Sequence, residues 1–189
     1  PRSGGRLRSR SCAAAAPGAA SVTLQPFLLQ LEPVTNAEFL AFVQREPQWR
    51  RGTIASVFAD AGYLAHWEAP LALGPSAAPD QPVTRVSWFA AMAYCEAADA
   101  RLPTWHEWER AAAADETRAD ARGDPQWRQQ ILDWYARSGS APLAAVGQRS
   151  ANRYGLRDLH GLVWEWVEDW YRPDYYAALS AQGGVAREI

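Results

Sequence analysis

Near its C-terminal end the chain runs Asn152-Arg153-Tyr154-Gly155-Leu156-Arg157-Asp158-Leu159-His160-Gly161-Leu162-Val163-Trp164-Glu165-Trp166-Val167-Glu168-Asp169-Trp170. Asp158 and Glu165 are hard oxygen donors on either side of a loop containing Gly161, a residue that lets backbone carbonyls turn inward. Carboxylates combined with carbonyls and water match calcium, which takes ~6–8 oxygen ligands. The alternation Trp164-Glu165-Trp166-Val167 puts the tryptophans on one face of an extended strand and Glu165 on the other. By the residues alone, the plainer fate of Asp158 and Glu165 is an ion pair with one of the many arginines.

Outward from this stretch, composition narrows the field. The chain has 189 residues, a formal charge of -2 and 10 tryptophans, and all 19 of its basic residues are arginine. One domain of the common ~100–150 residue size, or slightly more, fits that length. The near-neutral balance gives no bulk case for nucleic acid or an anionic membrane. No apolar run approaches the ~20 residues of a membrane span. Two cysteines are too few for a disulfide framework or a four-thiolate zinc site.

The middle of the chain carries helix signals. Thr35-Asn36-Ala37-Glu38 is a capping box, opening a helix with an apolar stripe of Phe39, Leu40, Phe42 and Val43 that ends before Pro47. Pro70, Pro75, Pro79 and Pro82 keep 49–82 irregular, while Phe58, Tyr63 and Trp67 demand burial, so a packed loop is expected. Ser87 caps a second helix with Trp88, Phe89, Ala91, Met92 and Cys95 mainly on one side. Thr104-Trp105-His106-Glu107 is a second capping box, opening a helix through Trp108 to about Ala114. One more short helix is expected around 126–135, and 147–189 reads as turns and short strands. Such an α+β chain with few long elements depends on its tryptophans, each aromatic burying ~150–250 Å².

Residues 1–20 read as a disordered leader. Arg2, Arg6, Arg8 and Arg10 precede Cys12 and an alanine run, whereas the apolar centre of a secretory signal needs ~7–15 strongly apolar residues. A flexible tail fits better than an export signal, and location stays open between exported or periplasmic and cytoplasmic in a bacterial cell. The start at Pro1 is that of a processed or partial sequence.

Other chemistry finds little footing. His106-Glu107 lacks the second histidine of a zinc-protease helix, because Arg110 stands in its place. Glu107 is therefore expected to cap its helix and His106 to lie at the surface. His66, His106 and His160 are widely separated, and His66 beside Trp67 has the reading of a satisfied core histidine. Neither a P-loop, a dinucleotide-binding glycine motif nor a nucleophile elbow is present.

Four blocks together carry a resemblance. These are Pro33-Val34-Thr35-Asn36-x-Glu38-Phe39, Pro82-Val83-x-x-Val86-Ser87-Trp88-x-x-Ala91-x-x-Tyr94-Cys95, Arg101-Leu102-Pro103-Thr104-x-x-Glu107-Trp108-Glu109, and Asn152-x-Tyr154-Gly155-Leu156-x-Asp158-x-x-Gly161-x-Val163-Trp164-Glu165-Trp166. In this order they resemble the formylglycine-generating-enzyme (sulfatase-modifying factor) family, over roughly residues 24–171. The resemblance implies an irregular, loop-rich C-type-lectin-like α+β fold, here incomplete at the C-terminus, with the domain spanning 21–189. It also implies calcium held by the side chains of Asp158 and Glu165 and the carbonyls of Gly161 and Val163.

Family members that convert a sulfatase cysteine to formylglycine use oxygen and copper held by two cysteines in a C-terminal segment. Copper is therefore expected only if such a pair lies downstream, and the chain as given is expected to be catalytically silent, with no catalytic residue assigned. Cys95 matches a helix cysteine that in some members is disulfide-bonded; its partner is absent, so a buried free thiol is expected. Cys12 matches nothing. The loop containing Tyr63, His66 and Trp67 is closer to the nitrite-reductase accessory (NirV-type) branch, and the iron-binding three-histidine domain of the hercynine-synthase branch is missing. Open readings are an oxidase acting on a peptide or protein cysteine in a longer form, an accessory member, and a lectin-like binding module that needs exposed tryptophans near the calcium.

Overall fold

A computed structural model describes the backbone of residues 5–7 and the whole of 22–136 and 142–169. The element order is β1 (Gly5–Leu7), β2 (Phe27–Leu29), α1 (Asn36–Arg45), a 3-10 turn (Pro47–Trp49), α2 (Trp88–Glu96), α3 (Trp105–Ala112) and α4 (Pro125–Ala136). β1 and β2 form an antiparallel pair, with Gly5 opposite Leu29 and Leu7 opposite Phe27. Gly5–Leu7, within the stretch read as a leader, has its backbone groups paired with β2; the other residues of 1–20 lie outside the described residues.

The helix starts follow from local chemistry. Thr35 accepts from the Glu38 N–H at 3.2 Å while the Glu38 carboxylate accepts from the Thr35 N–H at 2.9 Å, closing the capping box of α1. Thr104 and Glu107 repeat the arrangement at α3, and the Ser87 hydroxyl accepts from Ala90 N–H at α2. α4 opens on the Asp124 carboxylate, which accepts from the N–H groups of Gln126 and Trp127. At the other end of α1, Arg50 donates to the carbonyls of Val43 and Gln44, both at 2.8 Å, satisfying acceptors that have no partner within the helix.

The apolar stripe of α1 builds the main core. Phe39, Phe42 and Val43 are buried with Tyr63, Leu64, Trp67, Ala77 and Ala90. Phe39 stacks on Tyr94 at 5.8 Å and meets Trp67 edge-on at 6.4 Å, geometries that the ring quadrupoles favour. The loop 49–82 is packed, as expected, and is held by hydrogen bonds from α1 and by others made within the loop. Asn36 accepts from Trp67 Nε1 at 3.1 Å and donates to the Ala78 carbonyl at 3.0 Å. Arg51 donates to the carbonyls of Leu64 and Trp67 at 3.1 and 2.7 Å, and Tyr63 donates its hydroxyl to the Trp49 carbonyl.

Two expectations for this half need correction. Phe58 is not buried but 40% exposed, resting edge-on against Phe89 at 5.2 Å. α2 has no single buried stripe: Ala90 alone is fully buried, and Trp88, Phe89, Ala91, Met92 and Cys95 are half-buried around the helix. A helix apolar on all sides spreads its contacts over several loops rather than facing one layer.

A second, smaller cluster joins buried Ala111 and Leu156 to Phe27, Leu29, Leu31, Tyr154 and Leu159. Between the halves run polar seams. Val146 N–H donates to the Asp80 carbonyl at 2.9 Å, Trp88 Nε1 to the Val167 carbonyl at 2.8 Å, and Trp166 Nε1 to the Val86 carbonyl at 3.0 Å. No strand forms within 142–169, where short strands were expected; backbone N–H groups there bond singly to separate segments, Arg153 to the Asp115 carbonyl, Arg157 to Leu31 and Glu168 to Pro103, and not along one ladder. The overall arrangement is mixed and loop-rich, with few strands.

Candidate functional site: a carboxylate loop under an aromatic cage

Asp158 adopts φ 62° and is buried. Its Oδ2 accepts from the Gly147 N–H at 2.5 Å, and its Oδ1 lies 4.0 Å from Arg149 Nε. Arg149 then reaches forward along the loop. One Nη donates to the His160 carbonyl and the other to the Gly161 carbonyl at 2.9 Å. Its guanidinium sits 4.5 Å over the Trp134 ring, a cation–π contact that α4 provides.

Gly161 has φ +73°, and a β-carbon there would lie 2.6 Å from Trp134 Cβ. Only glycine suits both the left-handed backbone and the close approach. Val163 follows, half-buried. Glu165 accepts from Trp108 Nε1 at 2.5 Å. Burial pushes its carboxyl up to about 7, the tryptophan bond opposes the shift, and the Asp158 charge adds to it. The two carboxylates singled out in the sequence are thus brought within electrostatic reach of one another.

His160 sits among four rings, with Trp108, Trp127, Trp134 and Tyr135 at centroid distances of 5.7, 5.8, 6.3 and 6.2 Å. Its Nε2 is 2.8 Å from the Ala112 carbonyl. A carbonyl can only accept, so Nε2 carries the hydrogen and Nδ1 accepts from the Tyr135 hydroxyl at 3.3 Å. Burial lowers its pKa, the Ala112 bond opposes this, and Arg149 lowers it further. Trp127, Trp134, Arg149, Asp158 and His160 border a cleft of about 340 Å³.

Sequence reasoning missed Arg149 and the cage. The heptad spacing of Trp127 and Trp134 on the expected helix was a usable signal, since it sets both rings on one face. For Arg149 there was no local signal, because its partners come from the next loop.

Among the described residues no group of three or more His, Cys, Asp or Glu is placed to hold a metal, so any ion at Asp158 and Glu165 depends on backbone carbonyls. An all-oxygen, anionic set suits a hard cation rather than copper. Cys95 is a free, half-buried thiol. Its burial, with the Glu96 charge, pushes its pKa up to about 11, opposite to the depressed value that a thiolate ligand needs. His66 departs from the reading of a satisfied core histidine: both ring nitrogens are buried without a partner, and burial with Arg85 and Arg51 lowers its pKa. His106 is half-buried on α3 rather than at the surface.

The exposed faces add two facts. Trp164 is 87% exposed, its ring stacked on Tyr135 at 5.2 Å, and Trp166 is 49% exposed. The alternation read from the sequence therefore holds, with the tryptophans outward and Glu165 inward, though no strand carries it. No helix among the described residues is long and apolar enough to cross a membrane.

Comparison with known proteins places these features. The chain is 34% identical over 196 residues to the formylglycine-generating enzyme of Streptomyces coelicolor, covering 83% of this chain and 62% of that protein. It is 41% identical over 98 residues to the hercynine oxygenase of Mycobacterium tuberculosis, covering 50% of this chain and 23% of that protein. It is 29% identical over 203 residues to the inactive C-alpha-formylglycine-generating enzyme 2 of Mus musculus, covering 82% of this chain and 62% of that protein. Residues 3–187 match the family described as the sulfatase-modifying factor enzyme 1-like domain. With the capping boxes, the Gly161 turn and the inward Glu165 in place, the chain belongs to that formylglycine-generating-enzyme family.

Proposed function

We propose that residues 21–189 form a formylglycine-generating-enzyme-type domain with a C-type-lectin-like fold, and that this polypeptide oxidises no cysteine by itself. The observation that carries the reading is Cys95. Copper(I) chemistry of this type requires a soft thiolate pair, and a thiol raised to about 11 is neutral at physiological pH. The chain's other cysteine, Cys12, lies outside the described residues. The domain then acts as an accessory scaffold that holds a peptide or protein, and in a longer form it contributes to a copper- and oxygen-dependent oxidase. The existence of an inactive relative by name supports the accessory role.

Structural calcium at Asp158, Gly161, Val163 and Glu165 belongs to the same proposal. It is supported by the oxygen-only donor set and by the mutual repulsion of Asp158 and Glu165, which a divalent ion between them would relieve. The ion would neutralise the buried carboxylates and fix the loop; it would supply no redox chemistry.

The test is oxygen consumption and copper retention with a cysteine-containing peptide and the purified 189-residue chain. Neither is expected. Copper-dependent oxygen uptake with loss of the peptide thiol would remove the silent reading. A second reading, a lectin-like binding module, is favoured by one observation: the open ring of Trp164 beside Tyr135 is the kind of platform on which a sugar face stacks. Binding of simple sugars that quenches tryptophan emission and is lost in Trp164→Ala would select it.

A further inference from the structure

We infer that Arg149 is the built-in cation of the Asp158–Gly161 loop and that a divalent ion binds there only by displacing its guanidinium; the inference rests on the calcium reading of the same residues. The guanidinium lies 4.0 Å from an Asp158 oxygen and donates to the carbonyls of His160 and Gly161. The Gly161 oxygen is one of the atoms the calcium set requires. At 2.9 Å from Arg149 Nη2 it is committed to a hydrogen bond, whereas a calcium ion would hold it at about 2.3–2.6 Å. One carbonyl can in principle serve two donors, but a guanidinium and a divalent ion side by side repel across a partly buried loop.

The arginine has somewhere to go. Its side chain is 28% exposed, and its guanidinium stacks on Trp134, which borders the open cleft. Swinging off the two carbonyls costs it the fork and the approach to Asp158. Without the ion, Arg149 satisfies the carbonyls of His160 and Gly161. With the ion, the Gly161 carbonyl becomes a ligand and the His160 carbonyl loses its guanidinium partner. The loop therefore has two closed states, one held by a guanidinium and one by a metal, and Arg149 sets the affinity of the second.

The experiment titrates calcium chloride by calorimetry into the chelator-treated parent, Arg149→Gln and Arg149→Lys at fixed ionic strength, with thermal melts of each in EDTA. Arg149→Gln should bind calcium at least about tenfold more tightly than the parent, since a full positive charge beside the ion is gone. It should also melt at a lower temperature in EDTA, because the loop has lost its cation. Arg149→Lys keeps the charge and should bind no more tightly than the parent. Equal affinity in the parent and both variants would overturn the competition while leaving calcium binding in place. Absence of calcium binding from all three would remove the calcium reading itself and the competition with it. A glutamine variant whose melt in EDTA equals the parent's would show that Arg149 does not hold the loop.

Discussion

Arg101 grips Glu107 with both ends of its guanidinium, Nη1 to Oε2 at 2.8 Å and Nη2 to Oε1 at 2.7 Å, while the same carboxylate accepts from the Thr104 N–H at 2.8 Å. The Arg-Leu-Pro-Thr motif thereby acquires a physical reason. Glu107 caps α3 and is buried, so its charge needs a partner, and Arg101 supplies it from just before Pro103. Replacing Arg101 by alanine leaves a buried carboxylate short of two bonds, and a loss of about 1–3 kcal/mol in denaturant unfolding is expected. An unchanged midpoint would show that the pair is idle.

The same carboxyl gives a pH dependence. Burial works to raise its pKa, but the bonds from Arg101 and Thr104 prevail and hold it below the ordinary value. A depressed folded-state pKa stabilises the protein above the unfolded pKa and loses that contribution as pH falls through the folded one. The parent should lose thermal stability on acidification below about pH 4.5. Glu107→Gln, less stable at neutral pH, should lose less over that window; parallel curves for the two proteins would contradict the assignment.

Gly161→Ala should be among the most damaging single-methyl substitutions in the chain. It forces an alanine to φ +73° and drives its β-carbon to within 2.6 Å of Trp134 Cβ. A cost of about 1–3 kcal/mol is expected from the backbone conformation alone, with the Trp134 contact adding to it. Chemical denaturation followed by tryptophan emission reads both the midpoint and the displacement of the indole.

Native Cys95 should react slowly with a disulfide reagent near pH 8 and rapidly once the chain is unfolded. Its pKa of about 11 leaves the thiolate scarce at that pH, and the thiolate is the reacting species. Native and denatured rates within a few-fold of one another would place the thiol outside the α2 packing described above.

Glu165→Ala should lower the melting temperature measured in calcium and bring it close to the parent's value in EDTA. A parent whose melt ignores EDTA would count against calcium at this loop. The alanine variant also frees Trp108 Nε1, so the comparison in EDTA separates loss of the hydrogen bond from loss of the ion.

What was readable in the sequence is what is local. Thr35 with Glu38, Ser87, and Thr104 with Glu107 announce helix starts because each cap is settled within a few residues. The inward Glu165 and outward tryptophans were readable from alternation. The partners were not: Trp108 and Glu165 are 57 positions apart, and Trp67 and Asn36 are 31 apart. Arg149 was hidden for another reason. A basic residue in a turn has no periodicity, and only the fold decides whether its charge faces water or two carbonyls. Phe58 was misread because an aromatic ring can end against one neighbour at a surface as readily as inside a core.

The two apolar clusters share no buried residue, and the seams between them are largely hydrogen bonds. Water competes for hydrogen bonds far more readily than for close-packed rings. The α1 side, with its interlocked phenylalanines and Trp67, can therefore stay closed while the Asp158–Glu165 side breathes. Amide exchange in such a molecule runs on two clocks, and the slower one belongs to the half that holds none of the candidate ligands.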